Sequence, residues 1–161
     1  EHDLAIVIGG ASVGDHDHAR GALRGLGAEF VFEKVAMRPG KPTWFALCEG
    51  KLVLGLPGNP ASAMVCARLF LRPLIERLLG QDPQHQTGAA RLAGPLPANG
   101  PRETYLRAKL RFDETGQAWA DCPANQDSSL LSVFAASNAL VVRPANAGAA
   151  SAGALVAVLN L

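Results

Sequence analysis

Cysteine is scarce in this sequence: only Cys48, Cys66 and Cys122 occur. An odd number with no paired metal spacing argues against a disulfide framework or a zinc cluster and favours reduced thiols in a cytoplasmic protein. Charge of one sign is lacking too. Lys and Arg number 15 against 14 Asp and Glu, a net charge of +1. The chain as a whole therefore has no general attraction for nucleic acid or an anionic membrane, and any basic site must come from local clustering. No apolar run approaches the roughly 20 residues of a membrane-spanning helix. Glu1 is not preceded by an initiator methionine, no targeting segment is recognisable, and a buried-type strand begins at Leu4, the expectation for a piece of a longer chain. What the sequence has in quantity is apolar side chains, 48% of 161 residues, enough for the packed core of one or two small domains.

The chain is organised around Leu54-Gly-Leu-Pro-Gly-Asn-Pro-Ala-Ser-Ala63. Lys51 to Leu56 reads as a buried strand bounded by Gly50 and Pro57. Asn59 stands where a helix N-cap belongs, its side-chain oxygen able to accept a free backbone N–H, and Pro60 follows at the first helical position. Strand, glycine turn and helix start are compatible with an ordinary βα turn or with an anion site at the positive end of the helix.

Upstream, Leu4 to Ile8 is a continuous apolar strand of the parallel-sheet type, expected inside a sheet. It leads into Gly9-Gly-Ala-Ser-Val-Gly-Asp-His-Asp17, where glycines permit close approach to a ligand. Asp15 or Asp17 is a candidate cap for the next helix, with Ala22, Leu23 and Leu26 on its core face and Gly25 and Gly27 at its end. A strand is expected over Glu29 to Val35. Lys34, Arg38 and Lys41 then fall in one proline-stiffened loop, read as a solvated surface or, at the same sheet edge as the two glycine loops, as a polyanion site. A helix is predicted from Ala61 to about Leu79, with Val65, Leu69, Leu74 and Leu78 facing the sheet and Pro73 kinking or dividing it.

Composition changes at 81–88, a polar, turn-prone stretch read as a linker between an α/β domain over 1–80 and a small all-β, barrel-like domain over 89–161. Thr104 to Phe112 alternates strictly. Leu106, Ala108, Leu110 and Phe112 make the apolar face, and Tyr105, Arg107, Lys109 and Arg111 make a basic face suited to solubility. Asp113 to Gly116 is a hairpin turn, and strands are expected over Asn138 to Arg143 and Gly153 to Leu159.

Three segments, Gly9 to Asp17, Lys34 to Pro42 and Gly55 to Ala63, in this order and followed by a β domain, resemble the molybdenum insertase family of molybdenum cofactor biosynthesis. That family comprises the bacterial molybdopterin molybdenumtransferase and the E domain of gephyrin. The resemblance implies the C-terminal part of a molybdopterin-binding α/β domain followed by the family's C-terminal β domain. It implies insertion of molybdate into adenylylated molybdopterin with release of AMP, dependent on a divalent metal, taken as Mg²⁺. It assigns catalysis to Asp17, Lys34 and Lys41, and the metal to Asp15 and Asp17. Substrate contact falls to Gly9, Gly10, Ser12 and Gly14, to Arg38, and to Pro57, Gly58, Asn59, Pro60 and Ser62. In the β domain, Arg107 matches an arginine of the first long strand and Ser128 a serine near the proposed molybdate site, although Asp127 stands where relatives often have glycine.

The family's two N-terminal domains and a Thr-Gly-Asp-Glu-like loop are absent here, so the resemblance implies a fragment, inactive alone, of a homodimeric cytoplasmic enzyme. It also implies molybdopterin adenylyltransferase as a partner, and no nucleic acid or membrane. Two other readings stay open: an adenylyltransferase-like pterin-binding protein, against which the appended β domain argues, and a non-catalytic scaffold of the gephyrin type.

Overall fold

The computed structural model describes residues 2–9, 18–83 and 87–161. They form two compact units, one of Glu1–Val35 with Pro39–Gln81 and one of Ala36–Arg38 with Asp82–Leu161. The middle of the basic loop thus belongs to the second unit.

The first unit is built on a four-stranded sheet from β1 (Leu4–Ile8), β2 (Glu29–Phe32), β4 (Trp44–Cys48) and β5 (Lys51–Leu56), in the order β1-β5-β4-β2. β1 and β5 are parallel, with Ile8 opposite Leu56, while β4 runs antiparallel to both β5 and β2. β1, expected inside a sheet, is an edge strand among the described residues, and Ile6 and Ile8 are exposed. β2 is shorter than the sequence suggested, because its pairing with β4 is interrupted between Phe30 and Phe32. The core of this unit centres on Trp44, Ala46 and Val53. Trp44 lies directly opposite Gly55, where an added Cβ would come within 1.9 Å of the indole.

α1 (His18–Gly25) is tied to the sheet by Arg24, which pairs with Glu33 at 2.6 Å and covers the Phe30 ring. Of its three expected core residues only Leu23 is half-buried; Ala22 and Leu26 are exposed. The helix stops too early to cover Leu26: Ala28 N–H donates to the Leu23 carbonyl and Gly27 adopts φ 77°, the left-handed C-terminal cap.

The long helix is divided, as Pro73 requires. α2 (Pro60–Cys66) passes into a wider π turn over Ala67–Leu71 before α3 (Arg72–Leu78). Proline cannot donate to the carbonyl four residues back and crowds it; the wider turn, closed by Arg72 N–H on the Ala67 carbonyl, accommodates that defect. Val65 and Leu69 are buried as predicted, whereas Leu78, in the last turn, is exposed.

In the second unit β6 (Thr87–Leu92), β7 (Glu103–Phe112), β8 (Ala118–Asp121), β9 (Ala139–Arg143) and β10 (Leu155–Asn160) close into a barrel, β7-β8-β6-β10-β9 and back to β7. β6 begins inside the stretch read as a linker. β3 (Met37–Arg38) adds to β7 at Glu103 and Thr104. Ala90, Leu92, Ala108, Ala120, Val141 and Val158 fill the interior. Two residues of β7 depart from its alternation: Phe112, at the strand's end, is 69% exposed, and Arg107, on the expected solvent face, is 1% exposed. The segment after β8 and the short α4 (Leu131–Ala136), which the sequence did not announce, belong with Arg107, as its hydrogen bonds show.

Candidate active site

In the first unit the site starts from two adjacent parallel strands ending together. Gly9 N–H donates to the Leu56 carbonyl at 3.1 Å, and Gly9 has φ 84°. A Cβ on Gly58 would lie 3.2 Å from Gly9 Cα, so the glycines let the two βα loops meet. Gly10, Ser12, Gly14, Asp15 and Asp17 lie outside the described residues. Pro57 and Ser62 are buried and Pro60 opens α2, exposed. Asn59 has the extended backbone of an N-cap, but its side chain makes no capping hydrogen bond, contrary to expectation. Its carbonyl oxygen instead receives Ala63 N–H, and its buried Oδ1 has no partner among the described residues.

Lys34, Arg38 and Lys41 are exposed. Val35 N–H donates to the Lys41 carbonyl at 3.0 Å, closing the loop near both lysines. Thr43, fully buried, fastens its far end: its N–H and hydroxyl both donate to the Gly40 carbonyl, at 2.9 and 2.7 Å, and the hydroxyl lies 3.2 Å from Cys66 Sγ on α2. Burial pushes the Cys66 thiol up to about 11, against the smaller opposing effect of Thr43, so it is a neutral packing group at neutral pH.

In the second unit Arg107 and Ser128 are brought to one loop. Arg107 Nη1 donates to the carbonyls of Asp127 at 3.0 Å and Leu130 at 3.4 Å, on either side of Ser128 and Ser129. Burial lowers the Arg107 pKa, opposed by the Asp127 charge. Asp127 Oδ1 accepts both the N–H and the hydroxyl of Ser129, each at 2.9 Å, and these bonds hold its own pKa down. The Ser128 hydroxyl, half-buried, has no protein partner among the described residues. Sequence reasoning passed over Gln126, whose amide grips Arg107 from main chain to guanidinium. The available signal was Pro123, which cannot continue β8 as a hydrogen-bonding partner.

Among the described residues no group of three His, Cys, Asp or Glu side chains converges as a metal site. None of the described helices is long and apolar enough to cross a membrane, and all three cysteines are free.

Comparison with known proteins gives matches across most of the chain. Residues 1–77 match the family described as a probable molybdopterin binding domain, and residues 89–161 match the MoeA C-terminal region, domain IV. The molybdopterin molybdenumtransferase of Bacillus subtilis strain 168 is 35% identical over 158 residues, 98% of this chain and 36% of that protein. That of Staphylococcus epidermidis strain RP62A is 31% identical over 160 residues, 99% of this chain and 38% of the relative. Among solved structures, the molybdopterin biosynthesis MoeA protein from Pyrococcus horikosii superimposes with a TM-score of 0.80 at 28% identity, covering 98% of this chain and 37% of that one. The chain therefore spans little more than a third of the length of these relatives.

Proposed function

We propose that this chain, which belongs to the molybdopterin molybdenumtransferase (MoeA) family, works in molybdenum cofactor biosynthesis. It carries part of the site that inserts molybdate into adenylylated molybdopterin with release of AMP. The observation that carries this reading is the close meeting of Gly9 and Gly58 at the ends of two parallel strands, the place where open α/β sheets bind phosphate-bearing ligands. The stretch from Pro57 to Ser62 lines that edge, and the substrate contacts that the resemblance assigns to Gly10, Ser12 and Gly14 are part of the proposal. Asn59 Oδ1, without a partner among the described residues, supplies an acceptor for a ligand N–H rather than for phosphate.

Lys34, Arg38 and Lys41 hold the substrate's anionic groups and offset the charge that develops at phosphorus as the phosphoanhydride bond is broken by water. Asp17 orients that water. Ser128 donates its hydroxyl to an oxygen of the incoming molybdate, in a loop that also encloses the Arg107 charge. Asp15 and Asp17 are the proposed ligands of Mg²⁺, which when bound neutralises phosphate charge. The reading includes a cytoplasmic, homodimeric full-length enzyme supplied with adenylylated molybdopterin by an adenylyltransferase.

The test compares binding of adenylylated molybdopterin, followed by pterin fluorescence, to the chain and to two charge reversals. Lys41→Glu is expected to weaken binding about tenfold or more, since charge-assisted bonds to phosphate are lost. Arg77→Glu, on the exposed end of α3, is expected to leave it near the parent value. Equal affinities for the two variants would return the basic loop to the solvent surface.

A further inference from the structure

We propose that Gln126 is the positioning residue for the oxyanion contact at Ser128, an inference that rests on the preceding reading of the Ser128 loop. A gap in strand pairing opens beside β7. Along one side, β3 pairs at Glu103 and Thr104 and β8 pairs from Lys109 to Phe112, with Lys109 opposite Asp121. Continuing that register sets Pro123 opposite Arg107. Proline has no N–H, so a continued β8 could not answer the Arg107 carbonyl, and the chain turns away there.

The Gln126 side chain fills the gap as a one-residue strand partner. Its Oε1 accepts Arg107 N–H at 3.0 Å and Arg107 Nε at 3.3 Å. Its Nε2 donates to the Arg107 carbonyl and to the Pro123 carbonyl, both at 3.0 Å. Both amide protons and both lone-pair positions are thereby engaged. The guanidinium, fixed at Nε, in turn fixes the carbonyls of Asp127 and Leu130, while the Asp127 carboxylate fixes Ser129. Ser128 is left between two anchored neighbours, its hydroxyl without a partner among the described residues. Because Arg107 is 1% exposed, it acts on a tetrahedral oxyanion chiefly through this loop, and Gln126 sets the geometry of both.

The experiment uses the full chain and molybdate alone, with Kd from calorimetry and exchange of the Arg107 amide proton by NMR. Gln126→Leu keeps similar bulk and removes all four bonds. It is expected to speed exchange at Arg107, leave Ala108 and Val141 protected, and raise Kd about tenfold or more, the usual effect of losing an outer-shell orienting group. Gln126→Glu keeps the acceptor for N–H and Nε and is expected to recover most of the affinity. If Gln126→Leu fails to fold, Gln126→Glu decides: affinity as low as that of Ser128→Ala, with Arg107 still protected, overturns the proposal. So does a Gln126→Leu variant that binds as the parent does while Ser128→Ala binds weakly. A Ser128→Ala variant equal to the parent, or a parent that does not bind molybdate, instead overturns the oxyanion reading on which the inference stands.

Discussion

Trp44 occupies the space that any side chain at position 55 would need. The indole, fully buried, lies across Gly55 from the neighbouring strand, and an added methyl would meet it at 1.9 Å, deep inside contact distance. Gly55→Ala is therefore expected to cost about 1–3 kcal/mol or more, the penalty of overpacking a core that cannot shift; chemical denaturation gives the value, and a change below 0.5 kcal/mol (about the noise of surface substitutions) would show that the sheet yields. In the sequence Gly55 reads as part of an apolar run and as the start of a family segment, not as a packing position. Its partner across the strand is invisible until register is known, which is why this core contact was not legible there. Asp113 is the opposite case, a turn residue whose role follows from local sequence. One oxygen takes the N–H groups of Thr115 and Gln117 and the Thr115 hydroxyl, and the other takes the Trp119 indole. The Thr115 and Trp119 side chains, first, hold its carboxyl down from 3.8 to about 2. A depressed carboxyl stabilises the folded turn above the ordinary pKa and loses that contribution as pH falls through the folded one, here between about 4 and 2. The Trp119 indole proton resonance is expected to titrate with a midpoint near 2 and to lose that titration in Asp113→Asn; a midpoint near 4 would contradict the bonding.

At the scale of elements, what the sequence disclosed was periodicity and punctuation. The strands β1, β5 and β7, the hairpin at Asp113 and the division of the long helix at Pro73 all follow from local pattern and proline chemistry. What it hid was pairing between distant segments. β3, two residues long, has no pattern of its own and exists because β7 offers an edge at Glu103 and Thr104. Arg107 alternates like a solvent-facing strand residue, and only the fold of 123–131 over it makes it a buried one. The basic loop has a tie of the same non-local kind, from Thr43 to Gly40 and to Cys66 on α2. Thr43→Val keeps the shape and removes the hydroxyl. It is expected to cost about 0.5–1.5 kcal/mol, the net worth of one hydrogen bond, since the Thr43 N–H still serves the Gly40 carbonyl, and to weaken binding of adenylylated molybdopterin by loosening the loop that carries Lys41. Unchanged affinity alongside the stability loss would confine Thr43 to packing.

For the whole molecule, the two matched families follow each other along the chain and correspond to the two units except at Ala36–Arg38, which belongs to the second unit, while the chain spans little more than a third of its relatives' length. The proposed site is a divided one, in which this chain contributes groups for the pterin substrate and the oxyanion, and other parts of a full-length enzyme complete the constellation that cleaves the phosphoanhydride. Removing positioned groups from such a site costs orders of magnitude in rate even when other ligands remain. The most direct measurement is AMP release from adenylylated molybdopterin in the presence of Mg²⁺ and molybdate, with the chain and the full-length Bacillus subtilis relative assayed side by side. The chain is expected to retain the substrate while releasing AMP at least about a thousandfold more slowly than the relative, the scale of losing one preorganised charge-stabilising group. Turnover near the relative's rate would contradict it, showing that residues 1–161 hold the complete site.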